Sequence, residues 1–296
     1  MSQGPETTPE QPELLPGMVR AQARRGRAPA KKTTPLAELE PVARVLVEVS
    51  LAHLDRVFDY AVPETMAETA VPGARVKVRF AGQDVDGFVV AREAGSDHPG
   101  RLQPLRRVVS PECVLHPEIA EVAASIAERY AGTRADVLRL AIPPRHATTE
   151  KTGSDPAPAP ALDLGPIRAP WAGHIHGGAF VTALSDRRSP RAVWSAAPGV
   201  DWPDLLARAA AATYSSGRGS IICVPDGKDV ARVDRALTSV LGAGHHVALT
   251  AESGPAARYR DFLAISRGAR RIVVGTRAAA FAPVHGLGLV AIWDDG

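Results

Sequence analysis

Three observations predict an α+β chain of several domains: residue alternation between Val42 and Val90, a helical period from Ile119 to Tyr130, and strands alternating with helices from Arg191 onward. In order, they predict a small antiparallel β domain, a short helical module and a parallel α/β lobe. A chain of 296 residues is long enough for several such units, each with its own core.

Residues 1–40 are rich in Pro, Glu and Arg without periodicity and are expected to be a disordered basic tail. Arg20, Arg24, Arg25, Arg27, Lys31 and Lys32 lie there with no acidic residue among them. Such a tail can neutralise phosphates or simply keep the chain soluble.

Residues 41–110 form the β-rich domain. Val45, Val47 and Val49 point one way and Arg44, Leu46 and Glu48 the other, the pattern of a half-buried strand. Pro72-Gly73 opens a second strand, with Val76, Val78 and Phe80 on one face and Arg75, Lys77 and Arg79 on the other. A Gly-Gln-Asp turn and Gly87–Val90 follow. Residues 111–146 hold two helices. The first has Pro117 in its opening turn, its apolar face at Ile119, Val122, Ala123, Ile126, Ala127 and Tyr130, and Gly132 just past its end. The second, over 134–140, is stopped by Pro143-Pro144, and the pair suits a small helical or winged-helix-like module.

Residues 147–168 have the Thr/Ser/Asp/Pro/Ala composition of a linker. In the final unit, 169–296, strands are expected over 220–224, 247–249, 271–275 and 288–293. Helices carry Val230, Val233, Leu237 and Leu241, then Tyr259, Phe262 and Leu263. The last strand runs into Trp293-Asp294-Asp295-Gly296 and the chain stops there, which points to a fragment or a truncated product.

Composition removes several function classes. No apolar run is long enough to span a bilayer and the N-terminus has no apolar signal core, so a cytoplasmic protein without membrane partners is expected. Cys113 and Cys223 stand far apart and are expected as reduced, buried thiols. His174, His176, His245 and His246 have no Cys or carboxylate at ligand spacing and are expected in surface loops, with no metal.

The chemistry-bearing motifs point to nucleic acid. Arg75, Lys77 and Arg79 place cations at strand spacing beside Phe58-Asp59-Tyr60. Phosphates want such cations, and an unpaired base wants an aromatic face and a hydrogen-bonding edge. The same row also reads as the solvated face of a half-buried sheet.

The runs Val42–Val45, Phe58-Asp59-Tyr60-Ala61-Val62-Pro63, Pro72–Phe80 and Gly87–Val90 resemble the N-terminal domain of the primosomal protein N′ (PriA) family, the bacterial replication-restart proteins. The resemblance continues through Ala127–Gly132 and Asp136–Pro143. It then reaches Val224-Pro225-Asp226, Ile272–Arg277, Phe281–Pro283 and Leu287–Leu289, similar to the family's first RecA-like helicase lobe. It implies that Phe58, Asp59 and Tyr60 cradle the terminal base of a 3′ end at a stalled fork. Ala81 stands where the family has glycine, and Gln103 where it has lysine.

A phosphate loop needs glycines, a lysine and a hydroxyl that holds Mg²⁺. The corresponding stretch here runs from Trp194 through Gly199 to Trp202, with Asp201 at the lysine position and Trp202 at the hydroxyl position. Where the family has Asp-Glu-Glu-His, this chain has Trp293-Asp294-Asp295-Gly296. The likeness is therefore to the actinobacterial branch, with a degenerate lobe. Thr276-Arg277 is implied to lie along the backbone of single-stranded DNA; local capping of a helix and a carbonyl explains the pair equally well. Arg258, Arg260, Arg267, Arg270 and Arg271 add positive charge nearby.

What the resemblance implies is a DNA-binding primosome protein that recognises abandoned forks and promotes reloading of the replicative helicase, with ATPase activity lost. Forked and single-stranded DNA, helicase-loading proteins and single-stranded-DNA-binding protein are the implied partners, and the nucleoid the implied place. No cofactor is expected here: the family's ATP with Mg²⁺ meets altered motifs, and its zinc is bound by a region beyond the acidic motif. The alternatives are an ATP-dependent 3′-to-5′ helicase completed by downstream sequence, or an interaction scaffold without DNA contact.

Overall fold

The computed structural model describes residues 35–158, 160, 162–250 and 252–294. Residues 1–34 of the expected basic tail, with Asp295 and Gly296, lie outside them, whereas Ala37 is buried and its amide donates to Val62 O at 2.9 Å. No helix among the described residues is long and apolar enough to cross a membrane.

The first unit is a five-stranded antiparallel sheet of β1 (Val42–Val47), β2 (Val57–Ala61), β3 (Arg75–Phe80), β4 (Gln83–Glu93) and β5 (Arg107–Ser110), in the order β2-β1-β4-β3-β5. Its two ends are bridged by one segment. The Ala61 amide donates to Gln103 O at 2.9 Å and the Leu105 amide to Ala61 O at 2.9 Å, before β5 pairs with β3. This curls the sheet around a core that includes Val45, Val62, Val76, Val78 and Val89.

The β3–β4 hairpin closes with Phe80 opposite Gln83, so the two-residue turn is Ala81-Gly82. Both take positive φ, 46° and 82°. That is the turn geometry whose twist matches the flanking strands, and it normally demands glycine or asparagine. The register also sets Lys77 against Asp86 and Arg79 against Asp84. Their side chains meet at 3.0 Å and 3.1 Å, while Arg75 lies 3.5 Å from Glu48. The cation row is therefore not a bare phosphate-binding face, because cross-strand carboxylates occupy it.

The sheet's second face is not solvated either. Leu46 and Phe88 are 3% and 0% exposed, and they share a core with helices α1 (Pro117–Arg129) and α2 (Arg134–Ala141) and with Tyr259, Phe262 and Leu263 from the last unit. Thr133 caps α2 by accepting the Asp136 amide.

Within 147–168, where composition points to a linker, lie the short helices α3 (Ala147–Lys151) and α4 (Leu164–Arg168). The reason is one buried carboxylate. Glu150 accepts two oxygens' worth of contacts from Arg145, at 2.7–3.1 Å, and one from the Tyr259 hydroxyl at 2.8 Å. Burial raises the Glu150 pKa, but the hydrogen bonds from Arg145 and Tyr259 outweigh it and hold the carboxyl below its usual range. Arg267 continues the clamp, pairing with Glu112 at 2.7 Å and donating to Glu150 O at 2.8 Å.

The last unit contains α5 (Gly177–Ser185), α6 (Trp202–Ser215), β6 (Gly219–Cys223), α7 (Gly227–Leu241), β7 (His246–Leu249), α8 (Pro255–Ser266), β8 (Ile272–Gly275) and β9 (Leu287–Ile292). Its four strands are parallel in the order β7-β8-β6-β9. One sheet face, with Ile222, Ile272 and Val274, packs on α6 and α7. The other, with Ile221 and Val273, packs on Ile265 of α8 and on Ala279 and Ala282. Cys113 and Cys223 are half-buried free thiols rather than fully buried ones.

His116, at the start of α1, contacts Ser266 Oγ at 2.9 Å, and that hydroxyl donates to Cys113 O at 2.9 Å. The Ser266 proton is thus used, so His116 Nε2–H is the donor in this neutral tautomer. The His285 ring stands edge-on to it at 5.6 Å. Burial, and then His285, lower the His116 pKa from 6.5, against a smaller raising effect of Glu118.

Two predictions follow from these contacts. Because the folded state resists a proton that the unfolded chain accepts, stability falls as pH drops below about 6.5; urea titrations across that range should show a flatter pH dependence for His116→Gln. At the hairpin, a left-handed L-residue costs about 1–2 kcal/mol and glycine's extra unfolded-state freedom returns about 0.4–1 kcal/mol. Ala81→Gly should therefore raise stability by up to about 1.6 kcal/mol in a denaturant titration.

Candidate nucleic-acid interface

Three places gather the residues singled out by sequence. In the β domain, strand β2 presents Phe58-Asp59-Tyr60 to a cavity of about 360 Å³. Arg44 of β1, paired with Asp59 in the register, lines it from one side, and the 98–103 loop, with Arg101 and Gln103, lines it from the other. The Ala61–Gln103 backbone bond is what brings position 103 to Phe58 and Asp59.

Alternation along β2 divides the labour of the three motif residues. Tyr60 is 4% exposed, and its hydroxyl donates to Arg79 O at 3.2 Å. Burial pushes its pKa up to about 12, so it stays neutral. Tyr60 is thus a wall and anchor rather than an open stacking face. Phe58 is half-buried, with Phe80 edge-on at 4.9 Å and the Arg56 guanidinium over its ring at 4.9 Å. Asp59 accepts from Ser96 Oγ at 2.5 Å and lies 3.9 Å from Arg44 Nε. Arg79 borders the same cavity while held by Asp84; Arg75 lies elsewhere, stacked 4.8 Å over Phe88. Ala81 sits at the hairpin tip and does not line the cavity. Sequence reading missed Arg44, Arg56 and Arg101; the first two are legible as neighbours of the motif, one across the strand and one two residues upstream.

The second place lies between the helical module and the lobe. A groove of about 230 Å³ is lined by Leu140 and Pro143 on one side and by Thr250, Arg258, Thr276 and Arg277 on the other. Gly275 lets the chain turn into it, since an added Cβ would stand 2.6 Å from Leu249 O. Thr276 precedes the short 3-10 helix Arg277–Phe281 and makes no side-chain cap bond. Local capping therefore does not account for this threonine. The other arginines of this region are mostly structural: Arg267 clamps Glu112, Arg260 pairs with Asp261, and Arg270 and Arg271 donate to Asp155 O and Gly217 O.

The third place is the start of α6. Gly199 has φ 84°, and Asp201 caps the helix, its Oδ1 accepting the Asp204 amide at 3.3 Å. Trp202 is 6% exposed and stacks on Trp293, centroids 4.2 Å apart and planes 11° apart. Arg232 lies over Trp202 at 4.8 Å. Trp293 also meets Trp194 at 5.8 Å, and Trp194 meets Trp171 at 5.3 Å, so all four tryptophans of the chain form one cluster. Asp294, next in the chain, takes φ 49°. His174 belongs to this cluster, accepting the Trp194 indole N–H at 3.3 Å. His246 opens β7 with its side chain 4% exposed and 2.9 Å from Asp234. His174 does lie in a loop, half-buried against the cluster, whereas His246 is a strand residue rather than the loop residue its sequence context implies.

Residues 44–143 match the family model described as the 3′DNA-binding domain of PriA. The chain is 49% identical over 251 residues to the probable replication restart protein PriA of Mycobacterium tuberculosis, covering 83% of this chain and 38% of that protein. The counterpart in Mycobacterium leprae is 46% identical over 249 residues, with the same coverage, 83% and 38%. The replication restart protein PriA of Bacillus subtilis is 28% identical over 102 residues, 34% of this chain and 13% of that protein. The chain thus spans 38% of the length of its mycobacterial relatives. With the family's domain folded around the Phe58-Asp59 cavity and the likeness running on through the lobe, this protein belongs to the replication restart protein PriA family, over the N-terminal part of its longer relatives.

Proposed function

We propose that this protein recognises abandoned replication forks by holding the 3′ end of the leading strand in the β-domain cavity. The carrying observation is that Phe58, Asp59 and Gln103, remote in sequence, line one cavity inside the matched 3′DNA-binding domain. An aromatic face, a carboxylate acceptor and an amide with both donor and acceptor supply what one unpaired base requires. The Thr276/Arg277 groove offers a second contact, to the phosphate backbone. Marking the fork in this way would promote reloading of the replicative helicase through loader proteins and single-stranded-DNA-binding protein, at the nucleoid.

We infer further that the lobe has lost ATP hydrolysis. In a phosphate-loop motor, a loop hydroxyl and the leading carboxylate of the acidic motif hold Mg²⁺. Both positions are indoles here, stacked face to face at 4.2 Å, and Arg232 covers the outer face of Trp202. Asp201 sets a carboxylate at the helix end where phosphate would bind, and its own oxygen already takes the Asp204 amide. These residues do not fit ATP with Mg²⁺.

The end-recognition reading is tested with a fork carrying a free 3′ hydroxyl on its leading arm against the same fork ending in a 3′ phosphate. The free end should bind about tenfold more tightly, a gap of about 1.4 kcal/mol, and Asp59→Ala should erase most of that difference. Equal affinity for the two forks overturns the reading. For the lobe, saturating Mg²⁺-ATP should leave the melting temperature unchanged, whereas binding at a hundred times Kd would add about 2.7 kcal/mol. Trp202→Ala should cost about 3–5 kcal/mol without creating nucleotide affinity.

A further inference from the structure

The Phe58 ring that a terminal base would use is not free: the planar guanidinium of Arg56 lies over it at 4.9 Å, while Phe80 takes its edge. The other cations around this cavity differ in one respect. Arg79 is held by Asp84 at 3.1 Å, and Arg44 faces Asp59 at 3.9 Å. Arg56 and Arg101 line the same cavity with no carboxylate partner among the described residues, and Arg56 is exposed. Arg56 thus combines a charge that nothing neutralises with a stacking place that a base must claim.

We propose that Arg56 is an exchange latch of the 3′-end cavity. It covers Phe58 in the free protein, and when the terminal base stacks there it swings out to the phosphate on the 5′ side of that nucleotide. This rests on the 3′-end reading above. The exchange runs forward on magnitude, because a guanidinium over an exposed aromatic ring is a weak contact, whereas a guanidinium–phosphate pair is charge-assisted and bidentate. It also gives a reason for an arginine two residues before Phe58. Arg56 stands in the bend just before β2, and its guanidinium lies over the Phe58 ring, so a long side chain at 56 reaches both the ring and whatever stacks on it.

The latch is tested with the full chain and two forks, one with an ordinary 3′-terminal nucleotide and one whose terminal nucleotide is abasic but otherwise identical. Dissociation constants are measured across a salt series for the wild type, Arg56→Ala and Arg56→Lys. Arg56→Ala should weaken binding about tenfold and reduce the slope of log K against log salt by about 1 on the base-bearing fork, and change both much less on the abasic fork, where no base displaces Arg56 from Phe58. Arg56→Lys should recover the slope but only part of the affinity, since its ammonium cannot bind bidentately. An unchanged salt slope for Arg56→Ala, or tighter binding than wild type, overturns the latch: the arginine then only covers the ring. An equal loss on the abasic fork also overturns it, because Arg56 then meets the phosphate without a base displacing it. Should the wild type itself show no preference for a free 3′ end, the underlying reading fails, and the salt slope still reports whether Arg56 meets a phosphate.

Discussion

The apolar seam between the β sheet and the lobe is the contact on which the other features depend. Leu46 and Phe88 lie on the two strands at the middle of the sheet, and Tyr259 and Phe262 on α8; all four are at most 3% exposed. Each large side chain contributes about 1.5–3 kcal/mol when fully buried, and a domain's whole margin is about 5–15 kcal/mol. Four of them make docking part of folding rather than an option left to a flexible linker. Phe262 belongs to the seam and also lines the Thr276/Arg277 groove. The groove and the 3′-end cavity are therefore carried by one packed body, and the Arg267–Glu112 and Tyr259–Glu150 bonds fasten the same joint from its rim.

On the proposed loss of ATP hydrolysis, the two altered motifs are one event in the fold rather than two separate accidents. Trp202 stands at the start of α6 and Trp293 just past β9, yet their rings are parallel at 4.2 Å. An indole replacing the hydroxyl alone would project into a cleft shaped for phosphate and metal. A second indole at the carboxylate position gives it a face to stack on, worth about 0.5–1.5 kcal/mol beyond area burial. Trp194 and Trp171 extend the stack, with ring centroids at 5.8 Å from Trp293 to Trp194 and 5.3 Å from Trp194 to Trp171. This is consistent with the seam: a lobe fastened to its neighbour gains nothing from a mobile cleft.

Local patterns made much of this legible. The β1, β3 and β4 alternation, the α1 period with its Pro117 start, the α7 stripe and the final strands all follow from the spacing of apolar residues. The neutralising acids were not read from spacing, because the expected turn, Gly82-Gln83-Asp84, puts Asp84 in the turn; with the turn at Ala81-Gly82, Arg79 stands opposite Asp84 and Lys77 opposite Asp86. What spacing cannot show is partnership across distance. Leu46 reads as the outward residue of a half-buried strand because its cover, α8, lies more than two hundred residues downstream. Likewise the 147–168 segment reads as a linker because Glu150 is anchored by Tyr259, and His246 reads as a loop residue because Asp234 is on another element. Thr276 is the mirror case, a residue whose local cap was as good a reading as any until no cap bond was found.

The distribution of free charge then decides what kind of DNA feature such a surface can select. A bare row of cations along β3 would follow any duplex backbone in any register, giving affinity without preference. Here Glu48, Asp84 and Asp86 silence that row, and at the cavity Arg56 and Arg101 are the cations without a carboxylate partner among the described residues. Asp59 sits between them as a fixed acceptor, and its charge is unfavourable for a phosphate entering the cavity itself. If a terminal base enters this cavity, Arg56 and Arg101 favour its phosphate while Asp59 disfavours a phosphate beside the base. A strand that continues past the base must bring a second phosphate past Asp59, whereas a strand that ends there need not. On the proposed 3′-end reading, discrimination between an end and an internal stretch would rest on Asp59 together with Arg56 and Arg101, and would not require that any base be read by identity.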